Sequence, residues 1–280
     1  MTGPPPAPPA SGRRASDALA AAAARFGFSA TPRLDAELLL AHALGIERAA
    51  LLLDLDRPAP PAYAALVERR VAREPVAYIT GSRGFWTIDL HVAAGVLVPR
   101  ADSETLIEAA VAHFAGRAPR RVLDLGTGSG ALLLAALDQW PEATGVGVEA
   151  SEPALAIACR NAERLGFGER ARMIHGGWEG TGERFDLILC NPPYIADGEA
   201  LPEEVARYEP SSALFAGPEG LDDYRRIAPL LRAQLAPDGA AILEIGSTQA
   251  DAVARLLEEQ DFAVTLRHDL GGRPRGLVAT

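Results

Sequence analysis

The chain has 280 residues, 48% apolar and 23% charged, with a formal net charge of −10 and only two cysteines, Cys159 and Cys190. This is the composition of a globular protein and excludes a disordered one. It offers no apolar run long enough to span a bilayer, and its cysteines suggest neither a disulfide framework nor a metal cluster. The acidity argues against holding nucleic acid by phosphate neutralisation alone, although a local basic groove is compatible with it.

The opening "MTGPPPAPPASGRRASD" has no apolar stretch before a cleavage site. Residues 1–13 are therefore expected to be a disordered tail rather than a signal peptide, in a cytoplasmic protein. Residues 14–76 read as a small helical domain, rich in Ala and Leu. "TPRLDAELLLAHALG" has Pro32 at a helix start and Gly45 as a stop, with Leu34, Leu38, Leu39 and Ala41 as its apolar positions. After the turn "RPAPPAY" a second helix is predicted over roughly residues 62–73. "AYITGSRGFWTIDLHVAAGVLVPR" (77–100) reads as short strands separated by glycines, a β-hairpin linker. The next helix, in "DSETLIEAAVAHFAG" (102–116), is expected to be capped by Asp102 or Ser103.

From Arg121 strands alternate with helices. "RVLDLG", "ATGVGVEA", "ARMIHG", "FDLILC" and "GAAILEIG" are strands, and "FAVTLRHD" and "GLVAT" a closing pair. Residues 101–280 are thus predicted to be an α/β domain with a mainly parallel sheet covered on both faces, binding its ligand beyond the carboxyl ends of the strands. A long Pro/Gly-rich loop is expected from the end of "FDLILC" to about Gly220. The basic spots "ERRVARE" (68–74) and "RPR" (273–275) read as a solvated helix face and a solvated turn. The five histidines show no metal-ligand spacing, so no metal is expected, and Cys190 is expected to pack under the loop that follows it.

"LDLGTGSGA" places Gly126, Gly128 and Gly130 between a strand and a helix, where a ligand can approach the backbone and unpaired N–H groups. Glu149 ends the next strand, and a carboxylate there can accept both hydroxyls of a ribose. Together these indicate an adenosine-bearing cofactor. Gly126, Gly128 and Ala131 also fit a dinucleotide pattern, so a dehydrogenase competes with a methyltransferase here. Asp124 at the strand end is an odd neighbour for a pyrophosphate. It is better suited to orienting a water or receiving an ammonium, which favours S-adenosylmethionine.

"LILCNPPYIAD" (187–197) ends a strand in a stiff turn. Pro192 and Pro193 have fixed φ and donate no N–H. The Asn191 side chain and the Pro192 carbonyl are two acceptors suited to one –NH2 on a planar carbon. Tyr194 offers a flat surface for such a group. The lone pair of that nitrogen is delocalised, and two acceptors on its hydrogens favour the pyramidal form that can attack a methyl group. The motif alone does not separate a glutamine amide from an adenine amine.

"NPPYI" after "FDLILC", downstream of "VLDLGTGSG", resembles the methyltransferases that act on nitrogen bonded to planar carbon. With "PRLDAELLLAHALG", "EPVAYITGSRGFW", "LVPRADSE", "RYEPSSALFAGPEGLDDYRRI" and "GGRPRG" in order, the chain is similar to the bacterial peptide chain release factor N5-glutamine methyltransferases from about Thr31 to its end. The resemblance implies a Rossmann-like S-adenosylmethionine-dependent sheet behind a helical substrate-recognition domain. Its implied product is S-adenosylhomocysteine, and its substrate the glutamine of the Gly-Gly-Gln motif of class 1 release factors. It places Asn191, Pro192, Pro193 and Tyr194 at the substrate amide. Asp124, Gly126, Thr127, Gly128, Gly130, Glu149, Trp178 and Asn191 are implied to surround the cofactor. Phe85, Trp86, Pro99, Arg100 and Glu104 are placed near the substrate, with Arg100 equally readable as a salt-bridge partner. A monomer without stable nucleic-acid or membrane binding is expected. The runner-up is an adenine-N6 nucleic-acid methyltransferase, which would need a basic groove or a base-flipping element. Three departures stand out: Glu149 where Asp is frequent, Gly177 where an acidic residue is common near the adenine, and a tail without the usual acidic residue or Asn before its last arginine, which puts the docking of the last strand in doubt.

Overall fold

The computed structural model describes residues 13–280, so the expected N-terminal tail lies, but for Arg13, outside the described residues. The chain divides into two compact units, one of residues up to Gly81 together with Glu203–Tyr208, the other of Ser82–Pro202 and Glu209–Thr280.

The first unit is helical: α1 (Ala15–Arg25), α2 (Pro32–Leu44), α3 (Arg48–Leu52), α4 (Ala62–Val71) and α5 (Val76–Thr80). Pro32 opens α2, and Gly45, at φ 64°, closes it. Its buried face is Ala36, Leu39 and Leu40, packed on Leu19, Phe26 and Leu51. Burying such a side chain stabilises by roughly 1.5–3 kcal/mol. Leu34, expected on that face, is 37% exposed. Asp35 and Glu37 are buried instead, because arginines reach them: Arg70 from α4 meets Asp35 at 2.8 Å, and Arg33 and Arg48 each meet Glu37 at 2.7 Å. Arg70 is only 3% exposed and also pairs with Glu204 at 2.5 Å, so "ERRVARE" is not simply a solvated face.

Residues 77–80, expected to begin the hairpin linker, correct another expectation. Their β-branched, aromatic composition suggested a strand, yet with Val76 they form α5, started after Pro75 and ended by Gly81 at φ 71°. Ala77, Tyr78 and Ile79 are buried there, so packing overrides a weak local preference. The hairpin itself is short, β1 (Ser82–Phe85) paired antiparallel to β2 (Ile88–His91). Residues 92–100 run on without strand structure.

The second unit continues with α6 (Glu104–His113), β3 (Arg121–Leu125), α7 (Ala131–Gln139), β4 (Thr144–Glu149), α8 (Glu152–Arg164), β5 (Ala171–His175) and β6 (Phe185–Cys190). The short helix α9 (Glu203–Tyr208) interrupts the expected long loop and belongs to the first unit. Then come α10 (Asp222–Gln234), β7 (Leu235–Glu244), α11 (Ala250–Glu258), β8 (Val264–His268) and β9 (Pro274–Ala279). The sheet order is β5-β4-β3-β6-β7-β9-β8. Its first five strands are parallel, and β9 runs antiparallel to both neighbours. Central strands read as unbroken apolar runs because both faces are covered: Leu123, Leu125, Leu187, Ile188 and Leu189 have no exposed surface. The chain winds from β3 out to β5, then returns to β6 on the other side, which opens a crevice at the carboxyl ends of β3, β4 and β6.

Two further expectations change. Neither Asp102 nor Ser103 caps α6; both lie in a 3-10 turn and are turned to tertiary partners. Asp102 accepts from Arg273 and Arg275, at 3.1 and 3.2 Å. Accordingly "RPR" is no solvated turn: Arg275 is buried, and β9 docks along β7. Among the described residues, no helix is long and apolar enough to cross a membrane.

Candidate active site

Gly126, Gly128 and Gly130 all have positive φ, between 57° and 86°. This lets the loop after β3 fold back, with the N–H groups of Gly126 and Thr127 both donating to the Val148 carbonyl on β4. A Cβ on Gly126 would lie 3.2 Å from the Trp178 ring, and one on Gly130 2.9 Å from Leu134. Beneath the loop sits Asp124, 1% exposed. Its Oδ2 accepts from the Thr127 hydroxyl at 2.6 Å and from the Leu133 N–H at 3.2 Å, so it ties the loop to the first turn of α7. Burial pushes its carboxyl up to about 7. Its Oδ1 has no hydrogen-bond partner among the described residues, and Asp124 does not line the cavity described below.

Glu149 ends β4 with both oxygens held: Oε2 accepts from the Gly128 N–H and Oε1 from the Ser151 N–H, each at 2.8 Å. A carboxylate has more lone pairs than those two bonds use, so it retains acceptor capacity in a fixed orientation. Trp178 is pinned by Asp223 Oδ1, which accepts from the indole N–H at 2.9 Å. Any side chain on Gly177 would meet Glu179 Oε2 at 2.7 Å. The carboxylate that lines this end of the cavity is Asp223.

Asn191 follows β6. Its Nδ2 donates to the Ser103 hydroxyl at 3.3 Å, which leaves Oδ1, an acceptor, on the other side of the amide. No described residue donates to the Pro192 carbonyl. The turn is strapped down beyond it, where Ile195 donates to the Leu214 carbonyl and Gln249 Nε2 to the Tyr194 carbonyl, each at 2.9 Å. The Tyr194 hydroxyl donates to Glu244 Oε1 at 3.4 Å, and its own pKa is pushed up to about 12, chiefly by burial. Cys190 is fully buried and its thiol is pushed up, so it packs beneath the turn as expected.

The hairpin and the segment before α6 supply another wall. Phe85 is buried and lines the cavity. Trp86 instead makes the turn, at φ 54°, a conformation bulky residues avoid. Glu104 Oε1 accepts its N–H at 3.0 Å and holds it there. Arg100 pairs with buried Glu209 at 2.6 Å, the salt-bridge alternative, while still lining the cavity.

Ten of the singled-out residues, Pro99 among them, line one cavity of about 440 Å3 at the crevice: Phe85 and Pro99–Arg100 on one side, Gly126–Gly128 and Glu149 on another, then Trp178, Asn191 and Pro193. That volume suits a small-molecule site. Asp124, Gly130, Pro192, Tyr194, Trp86 and Glu104 are not among the residues that line it. Ser103, Asp223, Glu244 and Asn161 were missed by sequence reasoning. Asn161 is fully buried and bonds the His91 N–H, the His91 carbonyl and the Ser129 carbonyl, joining the hairpin to the glycine loop. Its signal was readable, since it falls on the buried face of α8 with Ala154, Ala158 and Ala162. No group of three or more His, Cys, Asp or Glu among the described residues could hold a metal.

Comparison with known proteins bears on the family and the fold. Residues 17–81 match the PrmC N-terminal domain and residues 101–208 the methyltransferase small domain. A release factor glutamine methyltransferase of Rhodospirillum rubrum is 46% identical over 256 residues, covering 89% of this chain and 78% of that protein. One from Cereibacter sphaeroides is 45% identical, covering 94% and 96%. Among solved structures, a methyltransferase from Pyrococcus furiosus shares the fold at a TM-score of 0.52 and 18% identity, over 76% of this chain and 95% of that one.

Proposed function

The chain belongs to the release factor glutamine methyltransferase family, and from that premise we propose that it methylates the side-chain amide nitrogen of the glutamine in the Gly-Gly-Gln motif of class 1 release factors, with S-adenosylmethionine as donor and S-adenosylhomocysteine as product. The observation that carries the reading is the Asn191 amide, held by Ser103 so that its acceptor oxygen is left for a substrate at the cavity edge.

The donor set fits this cofactor. Glu149, already fixed by two backbone N–H groups, has lone pairs left for the two ribose hydroxyls. Trp178, fixed by Asp223, gives a flat apolar surface beside the glycine loop, and the absence of a Cβ at Gly126 lets that ring close on the loop. S-adenosylmethionine supplies an electrophilic methyl group on a sulfonium.

The protein's task is to make a poor nucleophile attack. Asn191 Oδ1 and the Pro192 carbonyl accept the two amide hydrogens, which favours a pyramidal nitrogen with its lone pair free. Both acceptors are rigid, since prolines fix the turn, so little reorganisation is needed during reaction. The nitrogen–carbon bond forms as the sulfur–carbon bond breaks. The nitrogen becomes acidic only then, and its proton leaves without a strong base. Positioning and electrostatics account for the acceleration.

Labelled S-adenosylmethionine and purified release factor test this. Label on the Gly-Gly-Gln glutamine is the expected result; label only on added DNA or RNA overturns it. Asn191→Ala should lower transfer at least about 100-fold, while isothermal titration shows cofactor affinity largely retained. Loss of both together would make Asn191 a structural residue.

A further inference from the structure

Two carboxylates line the cavity, Glu149 and Asp223. Glu149 is placed at the ribose hydroxyls above. Asp223, the second residue of α10, has so far only held Trp178. Its side chain is 14% exposed. Oδ1 takes two hydrogen bonds, from the Trp178 indole N–H at 2.9 Å and from Arg226 at 3.2 Å. Among the described residues none donates to Oδ2, which keeps accessible surface. Desolvating a carboxylate is costly unless its oxygens are hydrogen-bonded. An oxygen left over at a cavity wall therefore points to a ligand that donates.

Which part of the cofactor meets it follows from the strand order β5-β4-β3-β6. The reacting methyl must lie at Asn191, after β6, and the glycine loop follows β3. Glu149 ends β4. A cofactor that runs from β6 past a ribose at β4 brings its base over the end of β5, roughly 14 Å away across three strand spacings. Gly176, Gly177 and Trp178, which follow β5, line the cavity there. An adenine offers Trp178 a flat face and carries a 6-amino donor at its edge. The carbonyls at this end are already engaged: Ala150 accepts from His175 Nε2 at 3.0 Å, Gly177 from the Gly180 N–H at 3.3 Å, and Trp178 from Gln234 Nε2 at 3.0 Å. Gly177 has no side chain to contribute. Asp223 Oδ2 is a charged acceptor, held beside the indole by the same bond that pins the ring.

We propose that Asp223 is the residue that reads the base: Oδ2 accepts from the adenine 6-amino group while Oδ1 fixes Trp178. This makes α10 part of the cofactor site. It also sets a preference for adenine over a 6-oxo purine, whose oxygen would face the carboxylate. The assignment rests on the placement of the ribose at Glu149 and of the methyl at Asn191. Asp223→Asn inverts the polarity at one atom. The indole N–H needs an acceptor, so the amide oxygen stays on Trp178 and an NH2 takes the place of Oδ2. That NH2 opposes an amine and matches a carbonyl.

Calorimetry on the full chain tests this with S-adenosylhomocysteine and with S-inosylhomocysteine, which has a 6-oxo group in place of the amine. The wild-type protein should prefer the adenosyl compound about 10- to 100-fold, the range of one hydrogen bond to a charged group. Asp223→Asn should weaken the adenosyl compound by a similar factor and bind the inosyl compound as well or better, so that the preference vanishes or reverses. A role confined to Trp178 predicts otherwise, since the indole keeps its acceptor and any loss falls on both compounds alike. Equal loss, or an unchanged preference, overturns the proposal. Should Asp223→Asn fail to fold, the wild-type protein decides alone: equal affinity for the two compounds overturns the proposal, and the expected preference upholds it. A wild-type protein that binds neither overturns the cofactor placement beneath it, and the proposal with it.

Discussion

Gly126 carries two constraints at once, a φ of 71° and an indole ring 3.2 Å from where a side chain would begin. Gly166 shares only the first: its φ is 77°, and nothing lies within 4 Å. Alanine at Gly166 should therefore cost about 1 kcal/mol of stability and leave cofactor affinity alone. Alanine at Gly126 should also weaken cofactor binding, by about tenfold, or about 1.4 kcal/mol. Denaturant titration and calorimetry on the two variants separate strain from the displaced Trp178. The glycines and Glu149 were legible in the sequence because their spacing is local: a turn and a strand end encode themselves. Ser103 and Glu244 were not, because their meaning comes from partners 88 and 50 residues away. A serine before a helix reads as a cap until its distant partner is known.

At the scale of elements, two buried carboxylates join pieces of structure, with opposite consequences. Asp124 joins β3 to α7 without a cation, and its carboxyl is pushed up from 3.8 to about 7. The folded state then holds a proton that the unfolded state has released, so stability falls as pH rises between those values and is level above. Asp124→Asn removes this dependence. Its stability relative to the parent should climb from about pH 4 to 7 and then plateau, as melting curves across pH would record. Asp35 joins α2 to α4 through Arg70. Arg70→Ala leaves that carboxylate buried and unpaired and should cost about 3–5 kcal/mol in denaturant unfolding. The alternation of strand and helix was readable from hydrophobic period alone, whereas α5 was not, since five residues are too few to show a period and Tyr-Ile-Thr favours a strand locally.

For the whole molecule, the division into units makes a separable prediction. All cavity-lining residues fall in the second unit. S-adenosylhomocysteine at a hundred times its Kd should stabilise that unit by about 2.7 kcal/mol. Hydrogen exchange should slow in Ser82–Pro202 and Glu209–Thr280, with the core amides of α1, α2 and α4 unchanged. The sequence announced a helical module ahead of an α/β domain, yet the return of Glu203–Tyr208 to the first unit was hidden in a loop of prolines and glycines. That return also has a consequence in time. The helical unit leaves the ribosome with Gly81, but Glu204, the second partner of Arg70, follows 123 residues later (204 − 81). At 5–20 residues per second the nascent unit waits roughly 6–25 s with Asp35 as the one carboxylate paired with that guanidinium. Its last helix is thus added to an already folded body, and completion of the first unit is paced by synthesis of the second.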